Sequence, residues 1–144
     1  MIRVTRKYRF SASHRLDVPQ LSAQENRELY GKCNNPFGHG HNYEIAVSAG
    51  GPLDSRSGRA VDLARLDNLV RRQVLAPFEH RNLNEEVEAF RAVVPTSENL
   101  GREILRRLKR NWSAVFPADG PRLKAVAITE TSRNAFQVSA HEIE

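Results

Sequence analysis

Two stretches of regular alternation constrain the fold of this chain more than any other feature. In residues 2–14 the even-numbered positions carry most of the apolar side chains, and the pattern returns on the odd-numbered positions of residues 39–47. A period of two is typical of a β-strand with one buried face. Two glycines and a proline at positions 50–52 close the second stretch. We therefore predict two long strands that contribute one apolar face to a core.

The middle of the chain predicts two helices. Residues 62–77 place leucine and valine at helical spacing, with Asp62 as the N-cap and Pro77 at the end. A second helix is predicted to begin at Thr96 or Ser97. An apolar stripe runs along one face of it, and its last turn is basic.

Turn-forming residues separate these elements and introduce a closing pair of strands. Residues 18–38, which contain two prolines and several asparagines and glycines, predict a long loop of the kind that is usually functional. Residues 53–61 indicate a turn and a short extension of the first strand pair. The closing strands are predicted at residues 123–130 and 135–143. The resulting order, ββααββ, predicts an α+β fold with an antiparallel sheet, in a single domain over residues 1–144.

The composition is that of a soluble globular domain, with 144 residues, 40% hydrophobic and 27% charged. No apolar run approaches the roughly 20 residues of a membrane span, and the N-terminus has no apolar segment typical of a secretory signal. The single cysteine excludes an intramolecular disulfide and suits a reducing compartment. We therefore expect a cytoplasmic protein with no membrane partner.

The charge balance is basic, with 22 Lys+Arg against 17 Asp+Glu and a formal net charge of +5. This excess suits a polyanionic partner, either nucleic acid or a phosphorylated small molecule. The basic residues are dispersed, however, and aromatic residues make up only 7% of the chain. A solvated basic face is therefore favoured, and no nucleic-acid partner is expected.

The most informative short motif is the histidine pair His39 and His41. Residues two apart on a strand project from the same face, so both rings can converge on one metal ion. Such a pair alone is more often two surface or hydrogen-bonded histidines. His14 strengthens the metal hypothesis, because it ends the first predicted strand on its apolar face and faces the pair if the two strands are antiparallel. Three neutral imidazoles without a fourth protein ligand form a catalytic zinc site with an open position.

Cys33 leaves two interpretations of this site open. As a fourth ligand, its thiolate would complete a closed, structural tetrahedral site. As a free thiolate beside a metal ion, it would have a lowered pKa and could act as a base. Spacing does not separate the two. A buried structural cysteine is disfavoured by the polar neighbours Lys32, Asn34 and Asn35.

Two further titratable residues have a functional interpretation beside the ordinary one, and a third has none. His80 follows Glu79, and a carboxylate near an imidazole can orient it as in a proton relay, although sequence neighbours often point apart. Glu130 ends an apolar strand face, either as a charge in solvent or as a buried anchor for a ring with paired N–H donors. His141 has no cluster around it and is interpreted as non-functional.

The motifs that contain these residues extend over nearly the whole chain. The longest is YGKCNNPFGHGHNY at 30–43, preceded by FSASHRL at 10–16. EHRNLN at 79–84, PTSEN at 95–99 and TET at 129–131 follow. In sequence and order they closely resemble the signature of the 6-pyruvoyl-tetrahydropterin synthase family.

The resemblance implies a tunnelling fold, in which a four-stranded antiparallel sheet carries two helices on one face. Strands of three subunits would join into a barrel, and two trimers would form a homohexamer with active sites between subunits. It also implies a lyase of tetrahydrobiopterin biosynthesis, which converts 7,8-dihydroneopterin triphosphate to 6-pyruvoyl-tetrahydropterin with elimination of triphosphate.

Carried over by position, the resemblance implies a role for each candidate residue. The implied Zn²⁺ ligands are the three histidines His14, His39 and His41. Cys33 would be the proton-abstracting base, with His80 in its relay. Glu130 would anchor the pterin ring, with Thr96 and Ser97 near the ring edge. A basic excess suits the triphosphate, which explains the charge better than nucleic acid does.

The sequence departs from the family pattern at one position, and two alternative functions remain open. The relay acid is usually aspartate in the family, and the extra methylene of Glu79 makes its coupling to His80 less secure. The related 6-carboxy-tetrahydropterin synthases of queuosine biosynthesis use the same substrate, but usually only three residues separate their cysteine from the histidine pair. Here five residues separate Cys33 from His39, which favours the pyruvoyl branch. A non-enzymatic zinc-binding module, with Cys33 as fourth ligand, is the alternative of another class.

Overall fold

A four-stranded antiparallel sheet organises the computed structural model, which describes residues 1–143. Its strands are β1 (Ile2–His14), β2 (His39–Gly51), β3 (Arg122–Thr131) and β4 (Asn134–Ser139). They lie side by side in chain order, and every neighbouring pair is antiparallel. The prediction of an α+β fold built on such a sheet is confirmed.

Five helices connect or flank these strands: α1 (Ala23–Tyr30), α2 (Leu63–Val70), α3 (Ala76–Phe78), α4 (Leu83–Glu86) and α5 (Ser97–Trp112). A π-helical turn, Arg71–Leu75, joins α2 to α3. The two predicted helices are both present, and Asp62 and Thr96 cap them by accepting hydrogen bonds from backbone N–H groups. Within residues 1–143, none of the helices has both the length and the apolar character to cross a membrane.

Three segments differ from their predictions, two of them for one reason. Residues 18–38 are not a continuous loop, since they contain α1 and a 3₁₀ turn, Gly31–Asn34. The last predicted strand stops at Ser139 and gives way to a 3₁₀ turn, Ala140–Glu142. Both helical turns begin with a capping box, a serine and a glutamate three residues later, and this local hydrogen bonding outweighs weak apolar patterning.

The third difference concerns residues 53–61, which form a turn without any strand extension. The carboxylate of Asp54 accepts hydrogen bonds from both the backbone N–H and the hydroxyl of Ser57. An aspartate that bonds the backbone a few residues on stabilises a turn in preference to a strand ladder.

The helices cover one face of the sheet, which is the face predicted from the alternation. Along β1 and β2 the buried positions alternate with exposed or half-buried ones. The apolar stripe of α5 meets this face with four fully buried side chains: Leu100, Ile104, Leu105 and Leu108. Arg6 of β1 forms a two-pronged ion pair with Asp67 of α2 at 2.8 and 2.9 Å, and Tyr8 donates to the same carboxylate. These contacts fix the helical layer over the first strand.

Gly38 lets the chain enter β2 directly against the end of β1. Its φ is +70°, and a Cβ atom there would lie 2.8 Å from the carbonyl oxygen of His14. Because L-residues are disfavoured at positive φ and no Cβ fits at that distance, glycine is required twice over.

We expect Gly38→Ala to lower the free energy of unfolding by about 2–4 kcal/mol, since it combines backbone strain with a clash against β1. Gly58→Ala is the matched control, because Gly58 has a φ of +71° but nothing within 4 Å of its Cβ position. That control should cost only about 1 kcal/mol. Urea denaturation followed by circular dichroism measures both, and equal losses would contradict the proposed clash.

Candidate metal-binding site

The register of β1 and β2 brings three histidines together at one end of the sheet. His14 pairs directly with His39, and His41 pairs with Ala12, so the three rings project from the same face. Ring centroids lie 4.3 Å apart for His39 and His41, 4.8 Å for His14 and His41, and 5.4 Å for His14 and His39. The Nε2 atoms of His39 and His41 are 2.9 Å apart.

Cys33 joins this cluster from the 3₁₀ turn that precedes β2. Two hydrogen bonds hold the turn against the chain just after β1: Leu16 N–H donates to the Cys33 carbonyl at 2.7 Å, and the Asn34 amide donates to the Leu16 carbonyl at 2.7 Å. The Cys33 Sγ atom is 3.1 Å from His39 Nε2. One donor atom from each of His14, Cys33, His39 and His41 lies within 4.8 Å of all the others, so the group could hold a metal ion.

His14 supplies the strongest structural sign of a ligand. Its side chain is fully buried, and its Nδ1 lies 2.9 Å from the carbonyl oxygen of Pro95. Since a carbonyl only accepts, Nδ1 donates, and the proton is therefore on Nδ1 in the neutral ring. The Nε2 lone pair is left buried without a hydrogen-bond partner. Such an atom costs about 1–3 kcal/mol when unsatisfied, and coordination of a metal would satisfy it.

Burial also favours the neutral form of His14 and of His41, which is the form that binds metals. It lowers the pKa of His14 and of His41 from the ordinary value, mainly because the charged ring would lose its hydration. Burial acts in the opposite direction on the thiol and, with the nearby Glu130 carboxylate, raises the pKa of Cys33. In the chain alone the cysteine is therefore protonated at neutral pH, whereas a divalent cation would favour its thiolate.

Glu130 lies beside the cluster at the end of β3. The register between β3 and β4 shifts between Thr129 and Thr131, so Glu130 occupies a bulge, a feature that often redirects a side chain at a functional site. Its Oε1 is 2.8 Å from His41 Nε2, and its Oε2 accepts a hydrogen bond from the Ser97 hydroxyl. The carboxylate therefore lies between the metal-binding cluster and the start of α5.

Thr96 and Ser97 are adjacent in sequence but engaged differently. Ser97 is buried and its hydroxyl holds Glu130. The Thr96 hydroxyl accepts from the backbone N–H of Asn99 at 3.2 Å, as the N-cap of α5. Both residues lie at the helix start next to the site, with only Ser97 in contact with a candidate site residue.

Among residues 1–143, His80 and Glu79 make no polar contact with the cluster, although His80 and His41 line one cavity. The Glu79 Oε1 atom is 3.0 Å from His80 Nε2, so the longer carboxylate does reach the ring. The His80 side chain is 79% exposed, and its backbone has a φ of +58°. Among residues 1–143, Cys33 shows a polar contact with His39 and none with His80. His141, interpreted as non-functional, lies exposed in the last 3₁₀ turn.

Two contributors to the site lie within the sequence motifs but were not predicted as site residues. The Pro95 carbonyl that orients His14 is a backbone group, which any residue type could supply. The Tyr43 hydroxyl lies 3.2 Å from His14 Nδ1, but in sequence Tyr43 is only one more apolar position on β2. The register of β1 and β2 brings Tyr43 to His14, and the segment that leads into α5 brings the Pro95 carbonyl to it.

The fold and the cluster together define an α+β protein with a histidine–cysteine group that could hold a metal ion and a carboxylate beside it. The family model described as 6-pyruvoyl tetrahydropterin synthase matches residues 3–141. The 6-pyruvoyl tetrahydrobiopterin synthase of Homo sapiens is 43% identical over 131 residues, covering 91% of this chain and 86% of that protein. The chain therefore belongs to the 6-pyruvoyl tetrahydropterin synthase family of enzymes.

Two further comparisons agree. The 6-pyruvoyl tetrahydrobiopterin synthase of Poecilia reticulata is 39% identical over 131 residues, covering 91% of this chain and 85% of that protein. The solved structure of Caenorhabditis elegans 6-pyruvoyl tetrahydropterin synthase superposes with a TM-score of 0.84 at 40% identity, covering 96% of this chain and 94% of that one. The expected tunnelling-fold subunit, an open four-stranded sheet with helices on one face, is confirmed.

We expect the protein to bind one Co²⁺ ion per chain, and His39→Ala to weaken that binding at least tenfold, because one of the converging donors is lost. Absorption titration of Co²⁺ into chelator-treated protein measures both stoichiometry and affinity. His141→Ala, which removes an exposed histidine away from the cluster, is the matched control. Equal affinities for the two variants would contradict the site.

The lowered pKa values also predict a pH dependence of stability. A histidine with a lowered pKa in the folded state binds protons more readily when unfolded, so its contribution to stability is full above about pH 6.5 and is lost as the pH falls through the folded value. Chelator-treated protein should therefore lose stability between pH 7 and pH 5, and metal-loaded protein should lose more, because a bound metal ion excludes protons from the folded ligands. Urea denaturation at each pH tests this, and a flat profile without metal would contradict it.

Proposed function

We propose that this protein is a zinc-dependent 6-pyruvoyl-tetrahydropterin synthase, a lyase that converts 7,8-dihydroneopterin triphosphate to 6-pyruvoyl-tetrahydropterin with elimination of triphosphate. The observation that carries the proposal is the convergence of His14, His39, His41 and Cys33 within 4.8 Å, with the Glu130 carboxylate 2.8 Å from His41. Membership of the family gives the reaction, and the site contains the chemical groups that it needs.

The donor set favours zinc as the metal. Imidazole nitrogens and a thiol are borderline and soft ligands, which suit Zn²⁺ better than Mg²⁺ or Ca²⁺. We assign the three histidines as the ligands, with His14 oriented by the Pro95 carbonyl. When bound, zinc would supply Lewis-acid polarisation of the side-chain hydroxyls of the substrate.

Cys33 is the proposed base for the substrate side chain. Its sulfur lies at the edge of the cluster, 3.1 Å from His39 Nε2, and is partly exposed, so a substrate carbon can approach it. Because burial and Glu130 raise the pKa of this thiol, its basic form depends on a neighbouring positive charge. The same site would therefore abstract protons only when its metal is in place.

Glu130 is the proposed anchor for the pterin ring. A carboxylate can accept two parallel N–H bonds from the amino group and the adjacent ring nitrogen of a pterin. The Ser97 hydroxyl holds one carboxylate oxygen, which fixes its orientation. Thr96 would line the ring edge through its position at the start of α5, since its hydroxyl is engaged as the helix cap.

His80 is the proposed relay partner of Cys33, and Glu79 orients its ring at 3.0 Å. Since His80 is exposed and makes no contact with Cys33 among residues 1–143, the relay would form between two copies of the chain. This supports active sites between subunits in a homohexamer, with β1 and β4 as the open edges of each sheet. Long unpaired strand edges are normally covered, and pairing between subunits into a barrel would cover both.

The proposed activity is tested by incubating the zinc-loaded protein with 7,8-dihydroneopterin triphosphate and identifying the products by mass. We expect triphosphate and 6-pyruvoyl-tetrahydropterin. Acetaldehyde with a 6-carboxy product would assign the protein to the related branch instead. An unchanged substrate in the presence of full zinc occupancy would overturn the proposal.

A Cys33→Ala variant separates a catalytic cysteine from a structural one. We expect zinc content and fold to be retained and turnover to fall by at least a hundredfold, because a general base contributes about 10²–10⁴-fold. Zinc content by atomic absorption and circular dichroism accompany the assay. Loss of metal and fold in this variant would support the non-enzymatic zinc module with Cys33 as fourth ligand.

A further inference from the structure

A cavity opens beside the histidine–cysteine cluster. Its volume is about 380 Å³, within the range of small-molecule sites. The cavity lies between α1 and the 3₁₀ turn Gly31–Asn34, and three basic residues line it: Arg15, Arg27 and Lys32. His39, one of the clustered histidines, forms part of the same wall.

The positive charge of this cavity is only partly neutralised. Asp17 is its one lining carboxylate, and it is already engaged by Arg15 at 3.5 Å and by the Asn34 amide at 2.9 Å. Arg27 and Lys32 form no ion pair with any carboxylate of residues 1–143, and both are exposed. Two cations facing one concave surface without partners attract a multivalent anion.

The cavity also adjoins the rest of the site through His39. Glu130 contacts His41 at 2.8 Å, His41 contacts His39 at 2.9 Å, and His39 both contacts Cys33 and lines the basic cavity. A ligand whose ring is held at Glu130 and whose side chain passes the cluster would therefore direct its far end into this cavity. In the proposed substrate, the far end is the triphosphate.

We infer that the cavity formed by Arg15, Arg27 and Lys32 is the polyphosphate subsite of the active site. The inference rests on the proposed function for the identity of the substrate, but the basic cavity itself does not depend on it. Arg27 and Lys32 would bind the anion directly, and Arg15 would contribute once its contact with Asp17 is exchanged for phosphate. A guanidinium and an ammonium at one site are the usual partners of phosphate oxygens.

The test measures binding of inorganic tripolyphosphate by calorimetry at fixed ionic strength. Chelator-treated protein is used, because tripolyphosphate would otherwise compete for the metal. The variants are Arg27→Gln, Lys32→Gln and the double variant, and the matched control is Arg102→Gln with Arg110→Gln. Both control residues are exposed arginines of α5 outside the cavity. The double variant and the control therefore lose the same positive charge.

We expect each single variant to raise the dissociation constant for tripolyphosphate roughly five- to tenfold, and the double variant at least thirtyfold, since charge-assisted hydrogen bonds are lost. The control should change it less than twofold. With zinc-loaded protein, the KM for the triphosphate substrate should rise in parallel, whereas the affinity for unphosphorylated 7,8-dihydroneopterin should not change. Arg27 and Lys32 would bind the phosphates equally in the ground state and in the transition state, so their replacement should leave kcat nearly constant.

Equal weakening by the double variant and its control would overturn the subsite, because the effect would then be general electrostatics. So would undetectable binding of tripolyphosphate to the unmodified protein. A failure of the proposed function would be seen in a different measurement, as the absence of substrate turnover. In that case, a selective loss of tripolyphosphate affinity in the double variant would still establish a polyphosphate site.

Discussion

The antiparallel register between β1 and β2 is the constraint on which the rest of the site depends. It places His14 opposite His39 and sets His41 on the same face two residues further along. Because side chains alternate along a strand, a slip of one residue would turn His14 to the opposite face. Gly38 protects this register, since it brings the start of β2 against the His14 carbonyl, where no other residue fits.

The second constraint links the strand ends to the helical layer. The hydrogen bond from His14 to the Pro95 carbonyl joins β1 to the segment that leads into α5, and Ser97 at the start of α5 holds Glu130 of β3. One short stretch of chain therefore orients both the His14 ring and the neighbouring carboxylate. The apolar stripe of α5 packs against the sheet, and this packing keeps the stretch in place.

Much of the fold could be predicted from the sequence, because hydrophobic alternation and helix caps involve only residues that are close along the chain. Alternation predicted β1 and β2, and the caps Asp62 and Thr96 predicted the two main helices. The failures were also local: the serine–glutamate capping boxes at Ser22 and Ser139 form helical turns where weak apolar patterning predicted a loop and a strand. These boxes could have been recognised from the sequence.

By itself the sequence determined that three histidines and a cysteine belong to one site, because period-two spacing and the family motifs select those residues. Only the tertiary structure decided the order of groups across the site, from Glu130 through the histidines and Cys33 to the basic cavity. It also showed that, among residues 1–143, His80 makes no polar contact with Cys33. The physical reason is that spacing along a strand fixes which face a side chain takes, whereas distances between elements depend on how strands, turns and helices pack.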